Sequence, residues 1–286
     1  MNHFSGKLFY IAMILSLFSC NIINPEEPIP SFIKVTEYQL IDNPNLNEGS
    51  ISNKITDGWV YVDNELMGAF EIPFTIPLLK EGVHNISIRA GIMLNGIAST
   101  RVIYPFYAAY DTTITLTADQ TVTILPVFSY RSDAKITFLE DFESSGLKLE
   151  RSGTSDTTLI HIKNNPVVFE GTGCGAGFIG DNMLFEIAST TTYSLPKSDL
   201  YLELNYKNEI GFTAGVIANE FGQNNYYGTG LLINPSANWN KMYVDLAAAT
   251  VASQNALNFK LYISAFKTAD GTVQSMYIDN VKIVHW

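Results

Sequence analysis

Apolar and polar residues alternate along most of the chain, in runs such as Trp59-Val60-Tyr61-Val62, Ile86-Ser87-Ile88-Arg89 and Ile114-Thr115-Leu116-Thr117. A period of two is that of a strand with one face buried. Turn residues punctuate the runs: Asp63-Asn64 ends one strand and Lys80-Glu81-Gly82 starts another. Pro73 and Pro77 remove backbone N–H groups where an edge strand or crossover tolerates the loss. Residues 32–131 therefore predict one all-β domain. Residues 132–286 begin with Ile136-Thr137-Phe138-Leu139-Glu140-Asp141-Phe142-Glu143 and end with Met276-Tyr277-Ile278-Asp279-Asn280-Val281-Lys282-Ile283-Val284. Well-marked first and last strands with Gly- and Asn-rich turns between them predict a jelly-roll β-sandwich whose terminal strands pair. Only the Ala-rich Leu246–Ala256 predicts a helical turn or two, weakened by Thr250 and Val251. The junction Arg131-Ser132-Asp133-Ala134 is short and free of Pro and Gly, so two domains held against each other are expected.

The amino terminus departs from this pattern. Lys7, the apolar run Leu8–Phe18 and Ser19 precede Cys20, so residues 1–19 read as a secretion signal, the run being too short to cross a bilayer core of about 30 Å. Residues 20–31 carry Pro25, Pro28, Pro30 and Glu26-Glu27 and predict an extended tether with a reach of roughly 30 Å, at about 3.1 Å per residue. Across 286 residues, 17 Lys and Arg stand against 28 Asp and Glu, a net charge of −11. That balance, spread along the chain, excludes nucleic acid as a partner, because phosphate binding needs clustered Lys and Arg. Cys174 lies in Gly173-Cys174-Gly175 without a second ligand nearby and reads as a small buried hydrophobe.

Gly171-Thr172-Gly173-Cys174-Gly175-Ala176 formally matches a dinucleotide fingerprint, but Gly177, Gly180, Asp181 and Asn182 continue a loop where a phosphate site needs a helix. A Gly-rich turn or bulge in a β domain is the better reading. His84, His161 and His285 stand singly, off metal-ligand spacing, and no nucleophile elbow or marked carboxylate pair appears. The chain is therefore expected not to be an enzyme. If the terminal strands of the second domain are antiparallel neighbours, Glu140, Asp141 and Glu143 approach Asp279 and Asn280. These are oxygen ligands of the kind a structural calcium takes, or else an acidic strand end facing solvent. Tyr226, Tyr227 and Trp239 lie near loop-like sequence and are candidate glycan contacts, each with a core alternative. Tyr104-Pro105-Phe106-Tyr107 sets three aromatics beside a Pro, where a continuous ladder does not bury them all, and marks a candidate protein contact.

Several segments resemble known families. Leu17-Phe18-Ser19-Cys20 resembles the lipobox of bacterial lipoproteins, which implies lipidation of Cys20 and a hold on the lipid bilayer. Tyr61-Val62-Asp63-Asn64, Gly68, Pro73 and Gly82-Val83-His84-Asn85-Ile86 resemble PEGA-like domains, which implies an Ig-like β-sandwich of a cell-envelope protein over residues 32–131. Leu200–Tyr206, Trp239–Leu246 and Tyr277–Val281 look like strands of galactose-binding-like and carbohydrate-binding jelly rolls, many of which carry a structural calcium between their terminal strands. The two domains together are similar to uncharacterised two-domain Bacteroidota-type lipoproteins. That likeness implies the outer membrane and leaves its face open, since Glu26-Glu27 lies late for a surface-export signal. The expected function is a non-catalytic structural or interaction subunit with an outer-membrane protein partner. The alternative is a glycan-binding surface lipoprotein.

Overall fold

Strands of the two halves of the chain pair only within their own half. The computed structural model describes residues 27–286, so the signal, Cys20 and the start of the tether lie outside the described residues. The first half contains β1 (Ser31–Val35), β2 (Gln39–Leu40), β3 (Asp57–Val62), β4 (Glu65–Glu71), β5 (Phe74–Leu78), β6 (Gly82–Met93), β7 (Arg101–Ile103), β8 (Tyr110–Leu116), β9 (Thr121–Ile124) and β10 (Val127–Phe128). A sheet β5-β1-β9 faces a sheet β4-β3-β6-β7, with β8 also on β6 and a small β10-β2 pair alongside. Alternation does the work: Ile33 and Val35, Val60 and Val62, and Ile86, Ile88 and Ala90 fill the core of an Ig-like sandwich. Asp63 and Asn64 hold positive φ in the two-residue turn between β3 and β4. Pro77 sits in β5, an edge strand, where its missing N–H breaks no ladder.

The second half contains β11 (Lys135–Glu140), β12 (Leu149–Arg151), β13 (Ile160–Lys163), β14 (Gly173–Ile179), β15 (Met183–Ser189), β16 (Leu200–Asn208), β17 (Thr213–Glu220), β18 (Gln223–Gly228), β19 (Ser236–Asp245), β20 (Phe259–Lys267) and β21 (Gln274–His285). A six-stranded sheet follows the order β13-β14-β21-β16-β19, with β11 also on β21, and faces a five-stranded sheet β12-β15-β20-β17-β18. This is a jelly-roll sandwich whose terminal strands β11 and β21 pair antiparallel. The Ala-rich stretch forms the helix α1 (Ala247–Ala252). The glycine run belongs to β14, with no helix after it. A Cβ at Gly175 would stand 2.7 Å from the Phe142 ring and one at Gly177 2.7 Å from the Phe185 ring, so these glycines admit core aromatics.

The outer face of the six-stranded sheet is covered by the first sandwich. Tyr201, Tyr243 and Val284 from β16, β19 and β21 belong to the same buried cluster as Tyr104, Phe106, Tyr107 and Tyr130. Within it, Tyr104 and Tyr130 donate hydrogen bonds to Glu203 Oε1 at 2.5 and 2.7 Å, and Lys241 Nζ lies 2.8 Å from Glu203 Oε2. Lys282 Nζ donates to the carbonyls of Glu48 and Ser50 at 2.9 and 3.0 Å. The sequence places Tyr104-Pro105-Phe106-Tyr107 at an outward-facing contact, and the structure corrects this. The three rings are buried in the joint between the halves, where the partner is the chain's own second sandwich.

Candidate functional site

With one outer face of the jelly roll used up by the first sandwich, the other is the outer face of the five-stranded sheet. In β20, Phe259, Leu261 and Ile263 point into the core, so Lys260, Tyr262 and Ser264 point outward. In β17 the same alternation turns Gly215, Ile217 and Asn219 outward. Register sets Tyr262 opposite Gly215, and Gly215 opposite Gly228 of β18. A Cβ at Gly215 would stand 2.8 Å from Tyr262 Cε1, and one at Gly228 3.1 Å from its hydroxyl. The two glycines are thus a floor on which the Tyr262 ring rests.

Tyr226 packs edge-on against Tyr262, ring centres 5.3 Å apart at 71°, a contact worth about 1 kcal/mol. Tyr262 is 7% exposed and Tyr226 46%, so the outer ring is open to a ligand. The Tyr226 hydroxyl donates to Glu186 Oε1 at 3.1 Å, and the same oxygen accepts from Ser152 Oγ and Thr154 Oγ1, each at 2.6 Å. A ring tied at its tip and braced at its side is pre-organised, which lowers the entropy cost of binding. In front of it is a hollow of about 620 Å³ that runs from Arg151 past Lys260 and Ile217 to Tyr226. It crosses all five strands of the sheet, a width of about 19 Å at the usual strand spacing. Asn219, Asn224, Asn255 and Asn258 line it with amides that both donate and accept.

At the rim, Phe221 opens the two-residue Phe221-Gly222 turn between β17 and β18 with φ of 54°. Bulky side chains avoid that backbone region at a cost of about 1–2 kcal/mol, and Gly or Asn normally fills it. Phe221 is also 89% exposed, so packing offers no compensation. Phe221 is thus a strained, solvent-facing aromatic at the mouth of the hollow. Alternation in β20 signals Tyr262 and Lys260 as outward, and Phe221-Gly222 signals a tight turn. Nothing in the linear order brings them to Tyr226.

Of the predicted glycan contacts, only Tyr226 stands on this face. Tyr227 turns to the interior, packs against the core and donates to Glu220 Oε2 at 2.5 Å. Trp239 is on β19 of the other sheet, packed at a 50° tilt against Phe169 with ring centres 5.4 Å apart and its Nε1 donating to the Val167 carbonyl at 2.8 Å. Among the described residues, His84, His161 and His285 are apart and each is hydrogen-bonded, His84 to Asp63 at 2.7 Å, His161 to the Phe142 carbonyl at 2.7 Å and His285 to Thr137 at 2.5 Å.

The predicted calcium ligands are only partly brought together. Asp141, Glu143 and Asn280 line a hollow of about 330 Å³ with Glu170 and Ser50. Glu140 is buried and both its oxygens accept backbone N–H bonds, from Phe142 at 2.9 Å and from Lys148. The Glu143 carboxylate accepts from Thr172 N, Thr172 Oγ1 and Gly173 N at 2.7, 2.7 and 3.0 Å. Asp279 accepts from Asn280 N at 2.8 Å. Burial pushes the Asp279 carboxyl up to about 7, with Glu143 and Glu170 adding to the rise. Glu140, Asp141, Glu143 and Asp279 each already accept hydrogen bonds from the chain's own N–H or O–H groups. Among the described residues no three His, Cys, Asp or Glu are grouped to hold a metal.

No family model matches the chain, and no curated protein does. Solved structures that resemble it include carbohydrate-binding modules. One from the β-sandwich superfamily is 10% identical, covering 91% of this chain and 99% of that one, with a TM-score of 0.42. The family 22 xylan-binding domain of Paenibacillus barcinonensis Xyn10C is 11% identical over 52% of this chain and 94% of that one, with a TM-score of 0.37. The family 30 module of a Clostridium thermocellum cellulosomal cellulase is 14% identical over 52% and 92%, with a TM-score of 0.35.

Proposed function

We propose that this chain is a non-catalytic glycan-binding protein and that the outer face of the five-stranded sheet is its binding surface. The observation that carries this reading is the exposed Tyr226 ring, locked by Tyr262 and Glu186 beside an amide-lined hollow. A sugar ring presents C–H groups on its faces and hydroxyls around its edge. An aromatic face and a border of Asn side chains meet those two requirements together. The subunit role expected from the sequence leaned on Tyr104–Tyr107 as an outward contact, and that segment is the internal joint. Its displacement leaves glycan binding as the better-supported function.

The surrounding picture follows from the sequence. Cys20, lipidated, anchors the chain at an outer membrane, residues 20–31 space it from the headgroups, and the first sandwich is a rigid stalk that carries the second. A glycan array probed with the full chain, beside its Tyr226→Ala variant, tests the binding role. Binding of one glycan class that the variant loses is expected; silence of the unaltered protein on every glycan refutes it. For the anchor, Cys20→Ala is expected to release the protein from membranes, and retention of that variant would show the assignment to be wrong.

A further inference from the structure

The rings that line the hollow set the direction in which a ligand lies, given the binding role just proposed. Among the described residues, its lining aromatics are Phe221 and Tyr226, both from the β17–β18 hairpin. Alternation turns one series of side chains outward along that hairpin, Ile217, Asn219 and Phe221 on one side and Asn224 and Tyr226 on the other, and all five line the hollow. Tyr226 is paired with Ile217, and residue 217 to residue 221 is four steps, so the two rings are about 13 Å apart along the hairpin at the usual strand rise. Between them Asn219 is paired with Asn224, and its Nδ2 donates to Asn224 Oδ1 at 3.1 Å, which presents Asn219 Oδ1 to accept and Asn224 Nδ2 to donate. The surface thus runs ring, amide pair, ring along one pair of strands. An extended chain of sugars offers C–H faces to the rings and hydroxyls to the amides between them. Phe221, 89% exposed at positive φ, has no packing within the chain that accounts for a ring there. The loop before β20 borders the same end: Asn255 N donates to Glu220 Oε1 at 3.2 Å, and Leu257, 81% exposed, lines the hollow. On the other side of the hollow Lys260 is 3.6 Å from Glu150, so its charge is already matched.

We infer that Phe221 is a second stacking subsite and that the ligand is a linear, extended, uncharged glycan lying along the β17–β18 hairpin, with one sugar on Tyr226, another on Phe221 and the hydroxyls between them on Asn219 and Asn224.

The test is titration calorimetry of the full chain with cello-, xylo- and manno-oligosaccharides, neutral and extended, in series from two to six sugars. Affinity for at least one series is expected to rise about tenfold or more with length, as the second ring is reached, and to be unmoved by salt. Phe221→Gly, which suits the turn, is expected to remove that gain while leaving the shortest ligand as it was; Phe221→Tyr keeps the ring and should keep the gain. Tyr226→Ala is expected to weaken short and long ligands alike. An affinity that does not depend on length, or a gain that survives Phe221→Gly, overturns the two-ring inference and leaves the glycan reading standing. So does binding on the glycan array with none to these linear ligands. Silence toward these ligands together with silence on the array removes both.

Discussion

Replacing Glu203 by Gln tests how the two sandwiches are joined. Glu203 is fully buried on β16, and its carboxylate faces Lys241 on one side with Lys282 on the next strand. Burial alone would raise its pKa. The Lys241 and Lys282 ammoniums, with a hydrogen bond from Tyr104, outweigh burial and hold it at about 2 against an ordinary 4.5. That difference is worth roughly 3 kcal/mol, present above pH 4.5 and lost as pH falls through about 2. Lys282 has the opposite sign. Burial lowers it to about 8 from 10.5, and Glu203 offsets part of that, so the ammonium costs the fold roughly 3 kcal/mol at neutral pH. The cost disappears as pH rises from about 8 to 10.5. The network is therefore near balance as a whole and costly to break in part. Glu203→Gln keeps the shape and strands two ammoniums, so a loss of about 3–5 kcal/mol at pH 7 is expected, followed by urea unfolding with tryptophan fluorescence. The gap should narrow in strong acid, where Glu203 is itself protonated, and in alkali, where the lysines discharge. A loss below about 1 kcal/mol at pH 7 would refute the assignment of Glu203 as the counter-charge of this joint.

Further outcomes are expected on the free face and at the acidic end of the sandwich. Tyr226→Ala should weaken glycan binding about tenfold or more, whereas Trp239→Ala, on the other sheet, should leave it unchanged; the reverse pattern by calorimetry would move the site. Phe221→Gly should raise stability by about 1 kcal/mol in urea unfolding by relieving the positive φ, and should lower glycan affinity. An unchanged affinity would remove Phe221 from the site. Asp279, raised to about 7 by burial, contributes stability that is full below its unfolded value of about 4 and is lost as pH rises through 7. Asp279→Asn should flatten that slope in thermal melts between pH 5 and 8, and an unchanged slope would show that Asp279 is not the group responsible.

Strand identity and local turn chemistry are legible in the linear order because their causes are local. Trp59–Val62 and Ile86–Arg89 show which side of β3 and β6 is buried, Asp63-Asn64 marks a turn that needs positive φ, and Pro77 marks an edge. Alternation stops informing where both faces of a strand are covered. β16 is buried at nearly every position from Leu200 to Asn208, so its outward Tyr201 and Glu203 read like core until the first sandwich is seen against them. That docking decides which face of the jelly roll stays free. It hides Tyr104, Phe106 and Tyr107, sets Trp239 apart from Tyr226 and leaves the Tyr226 ring exposed. The floor of Gly215 and Gly228 under Tyr262 likewise exists only through the register of β17, β18 and β20. Cross-strand register and domain contact join residues far apart in the chain. The linear order sets which side chains each strand offers, and tertiary packing decides which of them are left for a ligand.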